Sequence, residues 1–484
     1  MRRSPAPVHP FLSAAPPHAR AAAERRLAVL AAALDVSETD LWGDASPLVT
    51  GERTRDRVWL ALTVLGGRLV DRRATASADR DALRSGPEAV ARHAAAHAVW
   101  DDVVIRIVTA TEGSVVNLGD LGDVAHPDDV QRTAAHAVAR WRSRRALQPV
   151  RWGSGPQEGR LLACDAQGTP LTHDPVMVVP WQGTYLVPRL SRDVQRARYS
   201  QAIAVHSASW TAGIVEDSAP LTSPDRVPFG RPSQFVNSLG ALRHFTRVIA
   251  PSDAAAQVLA GWRTMLAAID EPGPEVHVVE PASELPVPSE RAMAEARARF
   301  SLGDFPVLLS VATDPSRSRR RDVLHAAELL WREGLQFTLT LVGPGGDDAD
   351  VRRTIARLQG EGRPVEAPDH LPEDLLAAAY RIAWCAVLPA VDDGAAIPVL
   401  DALASGTPVI APRCGAGAER TARGGGILID PHDHHALTAA VRAVLTQPSV
   451  HDSLVLQIAQ VPPRDPERAS EMLWSALTGS DLSN

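Results

Sequence analysis

The stretch PAVDDGAAIPVLDALASGTPVIAP, residues 389–412, decides how this chain is read. It follows the apolar run WCAVLPA (384–390), passes through a loop rich in small residues, and enters IPVLDALASG (397–406). It then leaves through a second apolar run, TPVIAPR (407–413). The lengths predict strand, loop, helix, strand, which is the unit of a parallel sheet. Asp393 falls in the loop and Asp401 in the helix, with seven residues between them. Carboxylates accept hydrogen bonds from sugar or ribose hydroxyls, and backbone N–H groups at a helix N-terminus hold anions. One small region could therefore hold hydroxyls and a phosphate together.

Outward from this stretch the alternation continues. FPVLLSVAT (305–313), FTLTLVGPGG (337–346) and GGGILIDPHD (424–433) are further predicted strands. Helices are predicted at DVLHAAELLWREG, DADVRRTIARLQGEG, EDLLAAAYRIA and HALTAAVRAVL. Upstream, SVVNLGDL (114–121), LQPVRWG (147–153), GRLLACD (159–165), PVMVVPW (175–181) and TRVIAPS (246–252) are strands of an earlier α/β unit. Before residue 110 the periodicity is helical, in ARAAAERRLAVLAAAL, TRDRVWLALTVLGGRL and GPEAVARHAAAHAVWDDVV. LAVLAAALDVSETDL (27–41) looks like the first half of a helix-turn-helix, but WGDASPLV follows where a basic recognition helix belongs.

The expected division is a disordered 1–19, a helical accessory region 20–112, a Rossmann-like domain 113–280 and a linker 281–304. A second Rossmann-like domain, 305–450, and a helical tail, 451–484, complete it. Two doubly wound domains joined by a linker imply a cleft between them, a favoured place for a ligand.

Composition narrows the chemistry. The chain has 484 residues and a formal charge of -7, and all 50 of its Lys+Arg residues are arginine. Without lysine there is no Schiff base and no Walker-type phosphate loop. Any phosphate held by a side-chain cation must be held by arginine, whose planar fork suits bidentate contacts. The acidic balance speaks against a nucleic-acid partner. Three cysteines, Cys164, Cys385 and Cys414, are too few and too scattered for a disulfide framework or a zinc site. HDHH (432–435) is better explained by Asp433 capping a helix than by a metal. With no signal-like or spanning apolar run, the expectation is a cytoplasmic protein, in contact at most with the inner face of a membrane. RSRRR (317–321), at a strand–helix junction, is either a solvated face or a phosphate site.

The segment 389–412 resembles the signature of retaining, nucleotide-sugar-dependent glycosyltransferases of the GT-B family. That signature reads Pro-Ser-x-x-Glu-Gly-Phe-Gly-x-Pro-x-x-Glu-Ala, followed by Gly-x-Pro-Val. The resemblance extends over about 305–446. SVATDPSRSRRRDVLHAAELL is similar to the family's first strand and Arg-Lys loop, and LTLVGPGG to its glycine-ended strand. Glu419 is similar to the acid that follows the Gly-x-Pro-Val strand. Upstream, GIVEDSAPLTSPDRVP and LRHFTRVIAPSDAAAQVL resemble the family's first-domain segments, with Asp217 and Ser252 on matching positions.

The resemblance implies an α/β GT-B fold, two Rossmann-like doubly wound domains facing a cleft, with the helical region in front. It implies hexosyl transfer from a nucleotide sugar to a carbohydrate, lipid-linked or protein acceptor, with no cofactor and no metal. Asp401 would hold the donor ribose. Asp393 would face the transferred sugar, with Asp217 as the other catalytic candidate. Gly394, Ala395, Ala396 and Ile397 would present backbone N–H groups to sugar and phosphate. Gly343 would border the donor, and Arg317 with Arg319 or Arg320 would neutralise the leaving diphosphate.

The sequence also departs from the pattern. Both signature acids are aspartate, which withdraws each carboxylate by about 1.5 Å. Ala395-Ala396 replaces Phe-Gly, Ser318 stands at the lysine position, and Glu216 stands where His precedes Asp217. No double-glycine loop faces the phosphates from the first domain. The alternative is a catalytically silent partner of an active glycosyltransferase.

Overall fold

The structure is a computed structural model. It describes residues 10–43, 45–119, 129–165, 168–169, 171, 175–312, 317–344, 348–391 and 394–480. Among the described residues fifteen strands form two sheets. The first contains β1 (Val104–Val108), β2 (Ser114–Asn117), β3 (Leu147–Trp152), β4 (Leu161–Ala163), β5 (Val176–Pro180), β6 (Thr184–Val187), β7 (Trp210–Ile214), β8 (Arg247–Ala250) and β9 (Glu275–Val278). The second contains β10 (Val307–Val311), β11 (Thr338–Val342), β12 (Val365–Glu366), β13 (Cys385–Val387), β14 (Val409–Pro412) and β15 (Gly426–Ile429).

The second sheet is parallel throughout, with order β12-β11-β10-β13-β14-β15. This is the doubly wound order whose direction reverses between β10 and β13, and ligands of such sheets sit at that reversal, beyond the strand ends. β10 and β11 are buried at every position, as strands covered on both faces require. The first sheet runs β1-β5-β4-β3-β2-β6-β7-β8-β9, with β4 antiparallel to both neighbours. Its parallel part, β3-β2-β6-β7-β8-β9, reverses between β2 and β6.

The N-terminal helices Arg20–Ala33, Thr54–Gly66, Arg72–Ser85 and Glu88–His97 share one core with this sheet. Trp59, fully buried, stacks on Trp181 at 6.5 Å and on His206 at 6.4 Å. Leu27 and Leu30 are buried in the same core, and among the described residues those from 34 to 50 form turns rather than a recognition helix.

Several expectations need correction. Within 1–19, residues 1–9 lie outside the description, but Pro10–Ala14 is helical and Phe11 is buried against Trp100 at 5.3 Å. The helix predicted over GPEAVARHAAAHAVWDDVV stops at His97, and the β-branched residues that follow enter β1, which pairs with β5. The segment 281–304, read as a linker, contains the helix Glu290–Phe300, whose Ala292, Ala296 and Phe300 pack into the second domain. Asp433 is not the helix cap. The helix starts at Ala436, and the Asp433 carboxylate accepts from the His435 N–H at 2.8 Å.

The tail crosses back to the first domain. Its last helix, Pro466–Thr478, sets Trp474 edge-on to Trp141 at 5.3 Å, and Trp141 Nε1 donates to the Ser470 carbonyl at 2.9 Å. Among the described residues no helix is long and apolar enough to cross a membrane.

His244 ties the helical layer to the first domain. Its Nε2 accepts from Arg243 Nε at 3.0 Å and lies 2.9 Å from Arg72 Nη1. Burial, with the Arg72 and Arg243 charges added and Glu271 opposing, pulls its pKa down to about 4. A histidine whose folded pKa lies below its unfolded value binds fewer protons when folded. This contribution to stability is complete above the ordinary histidine pKa and is lost as the pH falls toward 4. His244→Gln is therefore expected to flatten the melting-temperature profile across that acidic window. An unchanged profile would refute the role.

Candidate functional site

The reversal in the second sheet puts two loops side by side, the arginine loop after β10 and the signature loop after β13. Asp393 and its neighbour Asp392 lie outside the described residues, so the proposed sugar contact is not placed. Gly394 is placed, at the join of the two domains. Its carbonyl accepts from Ser252 Oγ at 2.8 Å, and a Cβ built on it would lie 2.3 Å from the Glu216 carbonyl oxygen. Only glycine allows the signature loop to meet the end of β7 this closely. Ala395 is buried, and Ala396 caps the helix Ile397–Ala404 with φ +49. The left-handed turn expected of the family's glycine is thus kept by an alanine at a cost in strain.

Asp401 lies in the second turn of that helix and is 1 % exposed. Ser283 Oγ donates to its Oδ1 at 2.6 Å, and Arg132 Nη2 lies 3.5 Å from its Oδ2. Arg132 is itself buried and has Glu373 at 3.7 Å. The carboxylate proposed for ribose is thus held by a first-domain arginine and a serine of the crossover. Neither partner was legible in the sequence, because Arg132 is 269 positions away and belongs to no motif.

The arginines of 317–321 diverge. Arg317 Nη1 crosses the cleft to Asp217 Oδ1 at 3.0 Å. Asp217 Oδ1 also accepts from the Ala219 N–H at 2.9 Å. Arg319 sits at φ +50 before the helix Arg320–Arg332 and pairs with Asp322 at 2.6 Å. Arg320 turns inward, and its Nη2 donates to the carbonyls of Val342 and Gly343 at 2.9 and 2.7 Å. Burial lowers its pKa. Arg321 pairs with Asp348 on the exposed face. Gly343, at φ +112, brings β11 so close to β10 that a Cβ would lie 1.9 Å from the Ala312 carbonyl oxygen. Arg317 is thus the member that reaches the first domain, and Arg320 braces strand ends.

Arg319→Gly should raise stability by about 1 kcal/mol, the strain of a left-handed residue bearing a Cβ, offset slightly by the lost surface pair. Thermal melting measures it, and a lower melting temperature would show that the Asp322 pair outweighs the strain.

Further contacts close the join. Glu419 accepts from the N–H groups of Asp253 and Ala254 at 3.0 and 2.7 Å, so an acid of the second domain caps a first-domain helix. The same helix, Asp253–Ala267, is capped from within by Ser252, whose Oγ accepts from the Ala255 N–H. Arg420 donates to the Pro251 carbonyl and pairs with Glu280 at 3.3 Å. Among the described residues no cluster of His, Cys, Asp and Glu suits a metal ion.

The family described as "Glycosyl transferases group 1" matches residues 306–447. The D-inositol 3-phosphate glycosyltransferase 1 of Catenulispora acidiphila is 30% identical over 214 residues, covering 42% of this chain and 51% of that protein. The GDP-mannose-dependent alpha-(1-6)-phosphatidylinositol monomannoside mannosyltransferase of Mycolicibacterium smegmatis is 31% identical, covering 33% and 44%. The chain thus spans about half the length of the curated relatives it matches. Among solved structures, the sucrose-phosphate synthase of Thermosynechococcus elongatus aligns at TM-score 0.53 with 18% identity, over 75% of this chain and 96% of that one. Anabaena Alr3699/HepE, in complex with UDP and glucose, aligns at TM-score 0.53 with 13% identity, over 75% and 99%. These two likenesses carry the fold.

Proposed function

We propose that the chain, whose residues 306–447 match the family described as "Glycosyl transferases group 1", moves a hexosyl unit from a nucleotide sugar to a glycan, glycolipid or protein acceptor with retention. The supporting observation is the join at Gly394, where the reversal point of the second sheet meets the end of β7 at Glu216 and Asp217. A donor diphosphate would lie between Arg317 and the opening of the helix Ile397–Ala404. Arg317 would stabilise the negative charge that develops as the bond from the anomeric carbon to the diphosphate breaks. The acceptor hydroxyl would form the new bond from the same face, its proton passing to the departing phosphate oxygen. Asp217 would hold Arg317 across the cleft, and Asp393 would face the sugar. The roles of Asp401 toward ribose and of Ala395, Ala396 and Ile397 toward the phosphate belong to this proposal. Arg320 is better assigned to bracing β11, and Arg319 to opening its helix.

One observation favours the second reading, a silent partner of an active glycosyltransferase. Asp401 and Glu419 are both committed to holding the domains together. A ligand at Asp401 must displace Ser283 and Arg132. Thermal-shift and donor-hydrolysis measurements with UDP-, GDP- and ADP-sugars separate the two, because a ligand that binds the folded state raises the melting temperature. A shift together with hydrolysis of one donor is expected. No shift with any of them at millimolar concentration would leave the silent reading standing.

A further inference from the structure

The two oxygens of Asp401 are held unequally. Ser283 Oγ donates to Oδ1 at 2.6 Å, a short bond. Arg132 Nη2 stands 3.5 Å from Oδ2, longer than a well-formed hydrogen bond. Arg132 lies in the first turn of the helix Asp129–Arg144, and its Nε is 3.7 Å from Glu373 Oε1, at the start of the helix Glu373–Ile382. The guanidinium therefore stands between two second-domain carboxylates, Asp401 buried and Glu373 half-buried. Three features favour exchange between them. A ribose hydroxyl at ordinary distance from Oδ2 replaces a long contact with a stronger one, and a ribose has two hydroxyls to donate. A guanidinium that leaves Asp401 keeps a carboxylate at Glu373, so no buried cation is stranded. The seam is also loosely packed. Ala134 and Ala137, further along the helix of Arg132, line one apolar cavity with Ala395 and Ile397 of the signature segment. A small shift of that helix loses few dispersion contacts.

We propose that Arg132 is a positioning residue for the donor. It faces Asp401 Oδ2 in the ligand-free protein and passes to Glu373 when the ribose hydroxyls take that oxygen. The inference rests on the transferase reading and on Asp401 as the ribose acid within it. Its consequence is that the preference for ribose is set from the first domain. The hydroxyls gain Asp401 only against Arg132, which a nucleotide lacking them has no need to displace.

The test is calorimetric titration of the full chain with UDP, GDP and ADP, each beside its 2′,3′-dideoxy counterpart. The readout is the ratio of the two affinities. A general loss of structure acts on both nucleotides alike and leaves that ratio where it was. For the base that binds, the wild type should prefer the ribonucleotide. Arg132→Met should raise the preference about tenfold, the worth of one hydrogen bond to a charged group, with dideoxynucleotide affinity unchanged. Glu373→Gln should lower the preference, because the released guanidinium loses the carboxylate that receives it. Glu373 is half-buried at a helix start, so Glu373→Gln keeps the test valid if Arg132→Met misfolds. The proposal is overturned if the wild type prefers ribonucleotides and the folded variants keep the same ratio. The donor reading then stands, and Arg132 only joins the domains. Equal binding of both nucleotides by the wild type and every folded variant removes Asp401 from the ribose and this inference with it, and nucleotide binding remains. If no nucleotide binds the wild type, the transferase reading and this inference fall together.

Discussion

Asp401→Ala is expected to destabilise the protein by about 3–5 kcal/mol, because it removes the acceptor of Ser283 and a buried carboxylate facing Arg132. Arg132 is 8 % exposed, and without Asp401 its nearest carboxylate among the described residues is Glu373 at 3.7 Å. Asp401→Asn should cost less, since its amide oxygen can still accept from Ser283. The double change Arg132→Met, Asp401→Leu should recover much of the loss, because apolar replacement of a buried ion pair is often neutral or better. Melting temperature reports the first effect, and nucleotide affinity the second. If Asp401 holds ribose, Asp401→Asn loses about tenfold or more in affinity even where its fold is intact. Wild-type affinity in Asp401→Asn would make the carboxylate a domain latch and nothing more.

Gly394→Ala should cost more in function than in folding. Its Cβ would meet the Glu216 carbonyl oxygen at 2.3 Å and the Asp217 Cα at 3.3 Å, and backbone atoms cannot step aside as a flexible side chain can. The signature loop must retreat or the cleft must open. A displacement near 1 Å at a reacting centre costs about a hundredfold in rate. Small-angle scattering should show a larger radius of gyration, and turnover should fall by about two orders of magnitude. Gly240→Ala is the control. It sits in the helix Arg231–Leu242 with nothing within 4 Å of the added methyl, and should stabilise by about 1 kcal/mol. Unchanged turnover and scattering in Gly394→Ala would refute the close domain contact.

The second domain was the more legible half because its strands are short apolar runs separated by helices of steady length. The resemblance then joined Asp393, Gly394, Pro398 and Asp401 into one motif. The strands β6 and β9 were missed. TYLV carries a polar-flanked aromatic, and EVHV alternates charge with valine, so neither stood out as a buried run. β9 is an edge strand with little of it buried, and its pairing with β8 comes from tertiary position rather than composition. The four arginines of RSRRR looked alike in the sequence apart from their order. Their different fates follow from the turn at Arg319, which sends Arg317 across the cleft and Arg320 beneath β11.

The sequence by itself determined that two α/β units exist, that no lysine is available to their chemistry, and which loop carries the resemblance. These are properties of local periodicity and spacing, which act over a few residues. Only the tertiary structure decided what those groups touch. Asp401 meets Ser283 and Arg132, Arg317 meets Asp217, and Glu419 caps the helix Asp253–Ala267. Each of these pairs joins residues about a hundred or more positions apart. A carboxylate's availability to a ligand depends on the cations and hydroxyls packed against it. For Asp401 the cation arrives from the other domain and the hydroxyl from the crossover, where local sequence has no means of announcing them.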